Sequence, residues 1–411
     1  MTSSTGRPKR IVLSGCTGFI GRELIPRLEA LQVDLLLVGR DAGKVEALFP
    51  GRNVCEYASL AEAGREYDLL IHLAVLNNDS GATDEQFEAV NVDLALRTAE
   101  AAVAAGIPNF VHVSSFHALD VTRTDGYARS KRLASRRLEQ VRGLRVIDLF
   151  LPAVYGTAKA GKLRHLDLLP RLVRGVAFSF LAALRPTVHI GKIAELLTSR
   201  EGIGPDHQIL LADDQDRNPF YRLTMRSIDL AFALAVVLLL NWLLLICWVL
   251  IRIESPGPGI FAQPRVGRHG RIFTCYKFRT MAVGTRQAAS HEVSIASVTR
   301  MGRFMRRTKI DELPQIWNIC RNEIRLVGPR PCLPVQEELI MERSRRGVGT
   351  VKPGITGYAQ VNDVDMSNPA KLADMDARYK MLRSIVFDLR IMIATITGRG
   401  QGDKVRSDHF S

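Results

Sequence analysis

Six cysteines in 411 residues form no C-x-x-C pair and stand at no Cys/His spacing that would hold zinc. That pattern argues against a disulfide scaffold and a structural metal, and for a reducing, cytosolic setting. No cleavable signal peptide is expected either, because Thr2 to Arg10 is polar and runs straight into a strand-like stretch. The composition also lacks the marks of disorder. Hydrophobic residues make up 46% and charged residues 24%, which excludes a disordered or fibrous chain. The length exceeds one ordinary core, so two or more domains are expected.

What the chain does have is charge in one half. Its formal charge is +14, yet residues 1–220 carry 27 Lys/Arg against 26 Asp/Glu, and residues 221–411 carry 29 against 16. The second half therefore expects an anionic neighbour: nucleic acid, phospholipid or a diphosphate. Nucleic acid fits worst, since the basic residues are not interleaved with aromatics and follow a lipid-like segment. That segment, Leu230 to Ile251, holds 22 residues with no charge and one Asn. As a helix it reaches roughly 33 Å, enough to cross a hydrocarbon core. Arginines at 217, 222 and 226 precede it and others at 252, 265, 268 and 271 follow. Both flanks thus ask for the cytoplasmic side, which favours a re-entrant helix bent near Asn241-Trp242 over a spanning one.

The first half alternates strands with helices, the signature of a parallel, doubly wound sheet. A buried strand, Arg10 to Ser14, leads into Gly15-Cys-Thr-Gly18-Phe-Ile-Gly21 and then a helix. Glycines there let the backbone turn tightly and approach a pyrophosphate at the helix N-terminus. The second strand ends in Gly39-Arg40-Asp41; an Arg at this place pairs with the 2′-phosphate of NADP, whereas an acid binds the ribose of NAD. NADP(H) is therefore expected, with NAD as the alternative. Tyr127 and Lys131 stand one helical turn apart, where a cation would lower the phenol pKa for acid–base work. Together with Ser114-Ser115, Asn91, "DLLIHLAV" (68–75) and "LPAVYG" (151–156), these segments resemble the extended short-chain dehydrogenase/reductase family of NAD-dependent epimerases and dehydratases over roughly 9–215. The resemblance implies catalytic roles for Tyr127, Lys131 and Ser115, with Phe116 standing where that family's hydroxyl often lies.

The second half carries Lys277-Phe-Arg279, Arg306-Arg-Thr-Lys-Ile-Asp311-Glu312, Val327-Gly-Pro-Arg330 and Gln263-Pro-Arg265. Read on its own, this is a carboxylate pair in a cationic field. Arg265, Lys277, Arg279, Arg306 and Arg330 are the candidate diphosphate ligands, and Asp311 and Glu312 would hold a metal or attack phosphorus. Neighbours on a helix point about 100° apart, so the two carboxylates would do different jobs. The ordered set closely resembles the monotopic bacterial sugar transferases that act on polyprenyl phosphate, from Met225 to about Thr397. That resemblance implies a re-entrant membrane helix, Mg²⁺ held at Asp311 and Glu312, a UDP-sugar donor, undecaprenyl phosphate as acceptor, and Asp311 as nucleophile. Asn241-Trp242 stands where the family usually breaks that helix with Ser-Pro.

The expected architecture is thus α/β: an N-terminal Rossmann sheet over 1–216, a basic flank and re-entrant membrane helix over 217–252, and a mainly α-helical transferase domain over 253–411. Ser384 to Thr397, with few charges, suits either the membrane interface or the catalytic core. The expected setting is the inner membrane of a bacterium, both domains on its cytoplasmic side, in contact with lipid and compatible with a homodimer. The expected activity is bifunctional: NADPH-dependent reduction of a UDP-4-keto-6-deoxy sugar, then transfer of the phosphosugar to the lipid. An NAD-dependent epimerase or dehydratase, or a non-catalytic nucleotide-sensing module, are the alternatives for the first domain.

Overall fold

The computed structural model describes residues 9–157, 161–199, 203–204, 206–284 and 298–399. The polar opening stretch up to Pro8, residues 158–160, 200–202, 205 and 285–297, and the tail from 400 lie outside the described residues. The chain divides into two compact units. One runs to Phe178 and takes in Pro186–Asp213; the other comprises Ser179–Arg185 and everything from Asp214.

The first unit is built on β1 (Arg10–Ser14), β2 (Asp34–Gly39), β3 (Asn53–Glu56), β4 (Leu69–His72), β5 (Asn109–Ser115) and β6 (Arg145–Leu151). Two short strands, β7 (Ala153–Tyr155) and β8 (Thr187–His189), pair with each other, and β9 (Gln208–Leu210) closes the main sheet. Its order is β3-β2-β1-β4-β5-β6-β9, every neighbour parallel. Successive side chains of β1 go to opposite cores. Ile11 and Leu13 pack with Leu24 and Leu28, whereas Val12 packs with Leu36, Leu70 and Ala99. Burial on both faces explains why these strands read as continuous apolar runs. The strand order reverses between β1 and β4, so the ligand crevice belongs at their carboxyl ends.

The second unit is organised on one long helix, Pro219–Glu254, of 36 residues. Asn218 caps it by accepting the N–H groups of Phe220 and Tyr221, and Pro219 takes the first turn, where no donor is lost. Tyr221, Met225, Asp229, Ala233, Val236, Cys247 and Ile251 are buried, three or four residues apart wherever the run is continuous. Ala233 packs with Phe273 and Cys275, and Cys247 and Ile251 pack with Phe278 and Met305. The opposite face is exposed and apolar, including Leu238, Leu239, Trp242 and Leu245. The bend expected at Asn241-Trp242 is not formed: the helix runs through both residues without interruption. The reason is physical. Asn and Trp keep the backbone N–H that a proline would remove, and the Trp242 indole donates back to Leu239 O at 2.9 Å within the same helix.

The rest of the unit wraps this helix. β10 (Ile260–Val266) and β11 (Ile272–Phe278) form an antiparallel pair, and β12 (Arg325–Val327) and β13 (Gly354–Thr356) a short parallel one. Helix Ile385–Ile396 packs on the core along one side. It buries Ile385, Asp388 and Ile391, and leaves Ile393 and Ile396 outside. Asp388 accepts hydrogen bonds from the Tyr221 and Tyr379 hydroxyls at 2.6 and 2.9 Å, which ties the start of the apolar helix to the last helices of the fold.

Candidate active sites

The carboxylate pair is positioned by an abrupt helix end. Helix Arg300–Thr308 packs so close to β11's extension that a Cβ on Gly302 would lie 2.1 Å from Thr280 O. Lys309 then turns into the left-handed region at φ 59°, stopping the helix. The tight turn Ile310–Gln315 follows and carries Asp311 and Glu312. The two acids part as their spacing implies. Glu312 Oε1 accepts from Lys277 Nζ at 2.8 Å and from Arg330 Nη2 at 3.2 Å. Asp311 is 9% exposed, and among the described residues no hydrogen bond or ion pair reaches its carboxylate. Burial pushes the Asp311 pKa up to about 6, helped by the Glu312 charge and opposed by Lys277, Arg306 and Arg330.

Of the five expected phosphate ligands, Lys277, Arg306 and Arg330 are brought to the pair. Arg306 also donates through Nε to Thr280 Oγ1 at 3.0 Å. Arg265 lies deeper, donating to Pro331 O at 2.9 Å and Gln263 Oε1 at 2.8 Å, and so supports the Arg330 segment. Arg279 is not brought to the pair: its guanidinium donates to Ser255 O and to Pro256 O, pinning the turn after the apolar helix. Lys309 is the residue sequence reasoning left aside. Burial lowers its pKa, while the Glu312 charge raises it. Its place in the run before Asp311 was visible, but its left-handed turn toward the acids was not.

Among the described residues no group of three or more His, Cys, Asp or Glu gathers as a metal cage. Asp311 and Glu312 still fit Mg²⁺, which ordinarily takes one or two carboxylates and fills its remaining positions with substrate phosphates and water.

In the first unit, the glycines form a cradle. Gly15 has φ 75°, and a Cβ there would lie 2.4 Å from Ala74 N; on Gly21 it would lie 2.5 Å from Cys16 O. Gly18 precedes helix Phe19–Ala30 with no side chain capping it, so the first N–H groups face the crevice. These features fit a dinucleotide pyrophosphate. Asp41 caps the next helix by accepting Lys44 N–H at 3.0 Å, which leaves Arg40 as the charged side chain at the end of β2 without that duty. Burial raises the Tyr57 pKa, and the nearby Ser14 hydroxyl and Arg40 charge oppose that rise.

Helix Gly126–Leu138, capped by Asp125, carries Tyr127 and Lys131. Asn91, on a widened π-helical turn over Ala89–Asp93, anchors it: Nδ2 donates to Ser130 Oγ at 3.0 Å, and Oδ1 accepts Leu76 N–H at 2.8 Å. The Ser115 hydroxyl lies near enough to the Tyr127 phenol to oppose its rise in pKa, so these two expected residues meet. The expected lowering of Tyr127 by Lys131 does not occur. Burial raises the phenol pKa, and Lys131 directs its ammonium to Val113 O at 2.8 Å. Beneath it, Ser14, His72, His112 and Asp148 are register partners across β1, β4, β5 and β6, all buried. His72 Nδ1 meets Ser14 Oγ at 2.8 Å, and His112 Nδ1 meets Asp148 at 2.7 Å. Burial lowers the Lys131 pKa to about 8, and the Asp148 charge opposes that fall. Sequence reasoning missed this row, because the four residues lie on four separate strands.

Residues 220–400 match the family model described as bacterial sugar transferase, and residues 11–194 match the NAD dependent epimerase/dehydratase family. The UDP-N-acetylgalactosamine-undecaprenyl-phosphate N-acetylgalactosaminephosphotransferase of Aeromonas hydrophila is 36% identical over 219 residues, covering 51% of this chain and 50% of that one. The exopolysaccharide production protein PSS of Rhizobium leguminosarum bv. phaseoli is 34% identical over 199 residues, covering 43% of this chain and 96% of that one. Among solved structures, a UDP-N-acetylglucosamine 4-epimerase from Bacillus cereus matches 50% of this chain and 78% of its own at 16% identity and a TM-score of 0.38. The chain spans half or less of the length of the first curated relatives it matches. It belongs to the bacterial sugar transferase family, and carries that domain behind one of the NAD dependent epimerase/dehydratase family.

Proposed function

We propose that the chain transfers a phosphosugar from a UDP-sugar to undecaprenyl phosphate at Asp311. The observation that carries this reading is the division of labour in the acid pair: Glu312 is tied by Lys277 and Arg330, and Asp311 is left without a bonding partner. An Asp311 oxygen attacks the β-phosphorus of the donor. A bond from that oxygen to phosphorus forms, the bond to the bridging oxygen breaks, and UMP leaves. A phosphate oxygen of the lipid then attacks the same phosphorus and frees Asp311. Lys277, Arg306 and Arg330 neutralise the diphosphate, which lets an anionic carboxylate approach it. Mg²⁺, held by Asp311 and Glu312 with the donor's oxygens, would add charge withdrawal from the leaving group.

The membrane reading is monotopic. Both ends of the apolar helix pack on one catalytic body, through Ala233 at one end and Cys247 and Ile251 at the other. That supports a straight helix held along the cytoplasmic face of the inner membrane, without a crossing and without the bend of a re-entrant helix. The first unit is proposed to reduce a UDP-4-keto-6-deoxy sugar with NADPH, with Arg40 on the 2′-phosphate. A raised pKa keeps the Tyr127 phenol protonated at neutral pH. It is then suited to give its proton to the carbonyl oxygen as that carbon is reduced.

UMP release by detergent-purified protein, with Mg²⁺, undecaprenyl phosphate and a panel of UDP-sugars, tests the transfer. One donor should yield UMP, and Asp311→Asn should not. Silence from every donor with folded protein overturns the reading. Consumption of added NADPH with a keto-sugar donor supports reduction. NAD retained on purification supports epimerase or dehydratase chemistry instead, and neither signal leaves a nucleotide-sensing module.

A further inference from the structure

An apolar groove of about 410 Å³ lies between the end of helix Pro219–Glu254 and helix Arg300–Thr308. Leu250 and Ile253 form one wall, Met301 and Phe304 the other, and Glu254 and Arg300 complete the lining. We infer that this groove seats the first isoprene units of the polyprenyl phosphate acceptor, an inference that rests on the transfer reading above.

Three observations converge on that occupant. The groove opens where Ile253 and Phe304 are 74% and 52% exposed, and it continues the exposed apolar face of the long helix, so it is reached from lipid. Its one carboxylate is already engaged. Glu254 accepts the N–H groups of Arg300 at 2.7 Å and Met301 at 3.0 Å, which ties the two helices together and leaves no free acid to repel a phosphate. The charges around it then point one way. Helix Arg300–Thr308 carries Arg303, Arg306 and Arg307 beside Phe304 and ends at Thr308, about 6 Å along its axis from Phe304. Lys309 and Asp311 follow directly. An apolar chain lying on Phe304 therefore leads its anionic end along a run of cations to the attacking carboxylate. A phospholipid acyl chain would fill the same walls, but a phospholipid's phosphate has no reaction at the end of that run, whereas the acceptor's attacks there.

The test separates acceptor from donor kinetics in the full detergent-solubilised chain. Phe304→Ser and, independently, Ile253→Asn should raise the KM for undecaprenyl phosphate about tenfold or more, the scale on which apolar pockets discriminate. The KM for the UDP-sugar and kcat at saturating acceptor should stay within about twofold of wild type. A polyprenyl phosphate bearing a diazirine in its second isoprene should label peptides containing Leu250–Ile253 or Met301–Phe304. Unmoved acceptor KM in both variants, an equal fall for both substrates, or labelling elsewhere would each overturn the groove as the acceptor site. No UMP from wild type with any donor would strike instead at the transfer reading beneath it.

Discussion

The two units bury ionisable groups in opposite ways. In the transferase unit, an acid is buried next to cations and left unbonded, so Asp311 sits poised at about 6. In the dinucleotide unit, a base is buried and bonded: Lys131 donates to Val113 O over a row of His72, His112 and Asp148, and sits at about 8. An unbonded buried carboxylate is costly unless something draws on it, and a nucleophile is such a use. A bonded buried ammonium is instead a fixed charge that orders its neighbours. The contrast suggests a group that reacts in one unit and a group that orients in the other.

The largest effect expected from this contrast is loss of a single oxygen. Asp311→Asn should lower phosphosugar transfer by at least about a thousandfold, as removal of a nucleophile does. Glu312→Gln keeps the shape but loses the charge that holds Lys277 and Arg330, so a loss of about 10–100-fold is expected. UMP release measured on both variants checks the order. Equal losses would erase the division between the two acids.

Next in size is the pH dependence, which should run in opposite senses. Asp311 must be ionised to attack, so kcat/KM for transfer should fall as pH drops through about 6. Lys131 must be protonated to orient, so NADPH oxidation should fall as pH rises through about 8. The transfer profile therefore has an acid limb and the reduction profile an alkaline one, each read from its own substrate. Two profiles with the same limb would show that burial does not govern both sites.

A third variant tests the helix join. Gly302→Ala places a methyl group 2.1 Å from Thr280 O, a backbone atom that cannot move aside cheaply. A stability loss of about 1–3 kcal/mol, by overpacking, is expected in thermal unfolding, with transfer reduced because Lys309 and Asp311 shift. Wild-type stability would mean that the close approach does not set the acid pair.

Much of this was legible along the chain. The parallel, doubly wound sheet follows from strands alternating with helices, and the acid pair follows from its position in a run of arginines. Local signals of that kind survive because neighbours in sequence remain neighbours in the fold. Three features were not legible. Arg279 sits in the same motif as Lys277, yet two residues along, at the strand's end, its side chain goes to Ser255 and Pro256 instead. The helix through Asn241-Trp242 was expected to bend on flanking charge, whereas its backbone hydrogen bonding decides that it does not. Helical spacing alone implies that Lys131 lowers the Tyr127 pKa, and burial outweighs spacing.

The smallest expected effect lies in the row beneath Lys131, and it separates orientation from packing. Asp148 is 2% exposed, accepts from or bonds His112 at 2.7 Å, and its charge raises the Lys131 pKa against the pull of burial. Asp148→Asn keeps the volume and a polar partner for the imidazole while removing that charge. With desolvation then unopposed, the Lys131 pKa should fall, and the alkaline limb of NADPH oxidation should move toward neutral pH. The acid limb of transfer should not move, since Asp148 is not among the charges acting on Asp311. A merely structural Asp148 would reduce the amplitude of NADPH oxidation and leave its midpoint near 8. A shifted midpoint at preserved amplitude can come only from a charge acting on Lys131, so the position of the limb, rather than the rate, decides whether the buried row tunes the base.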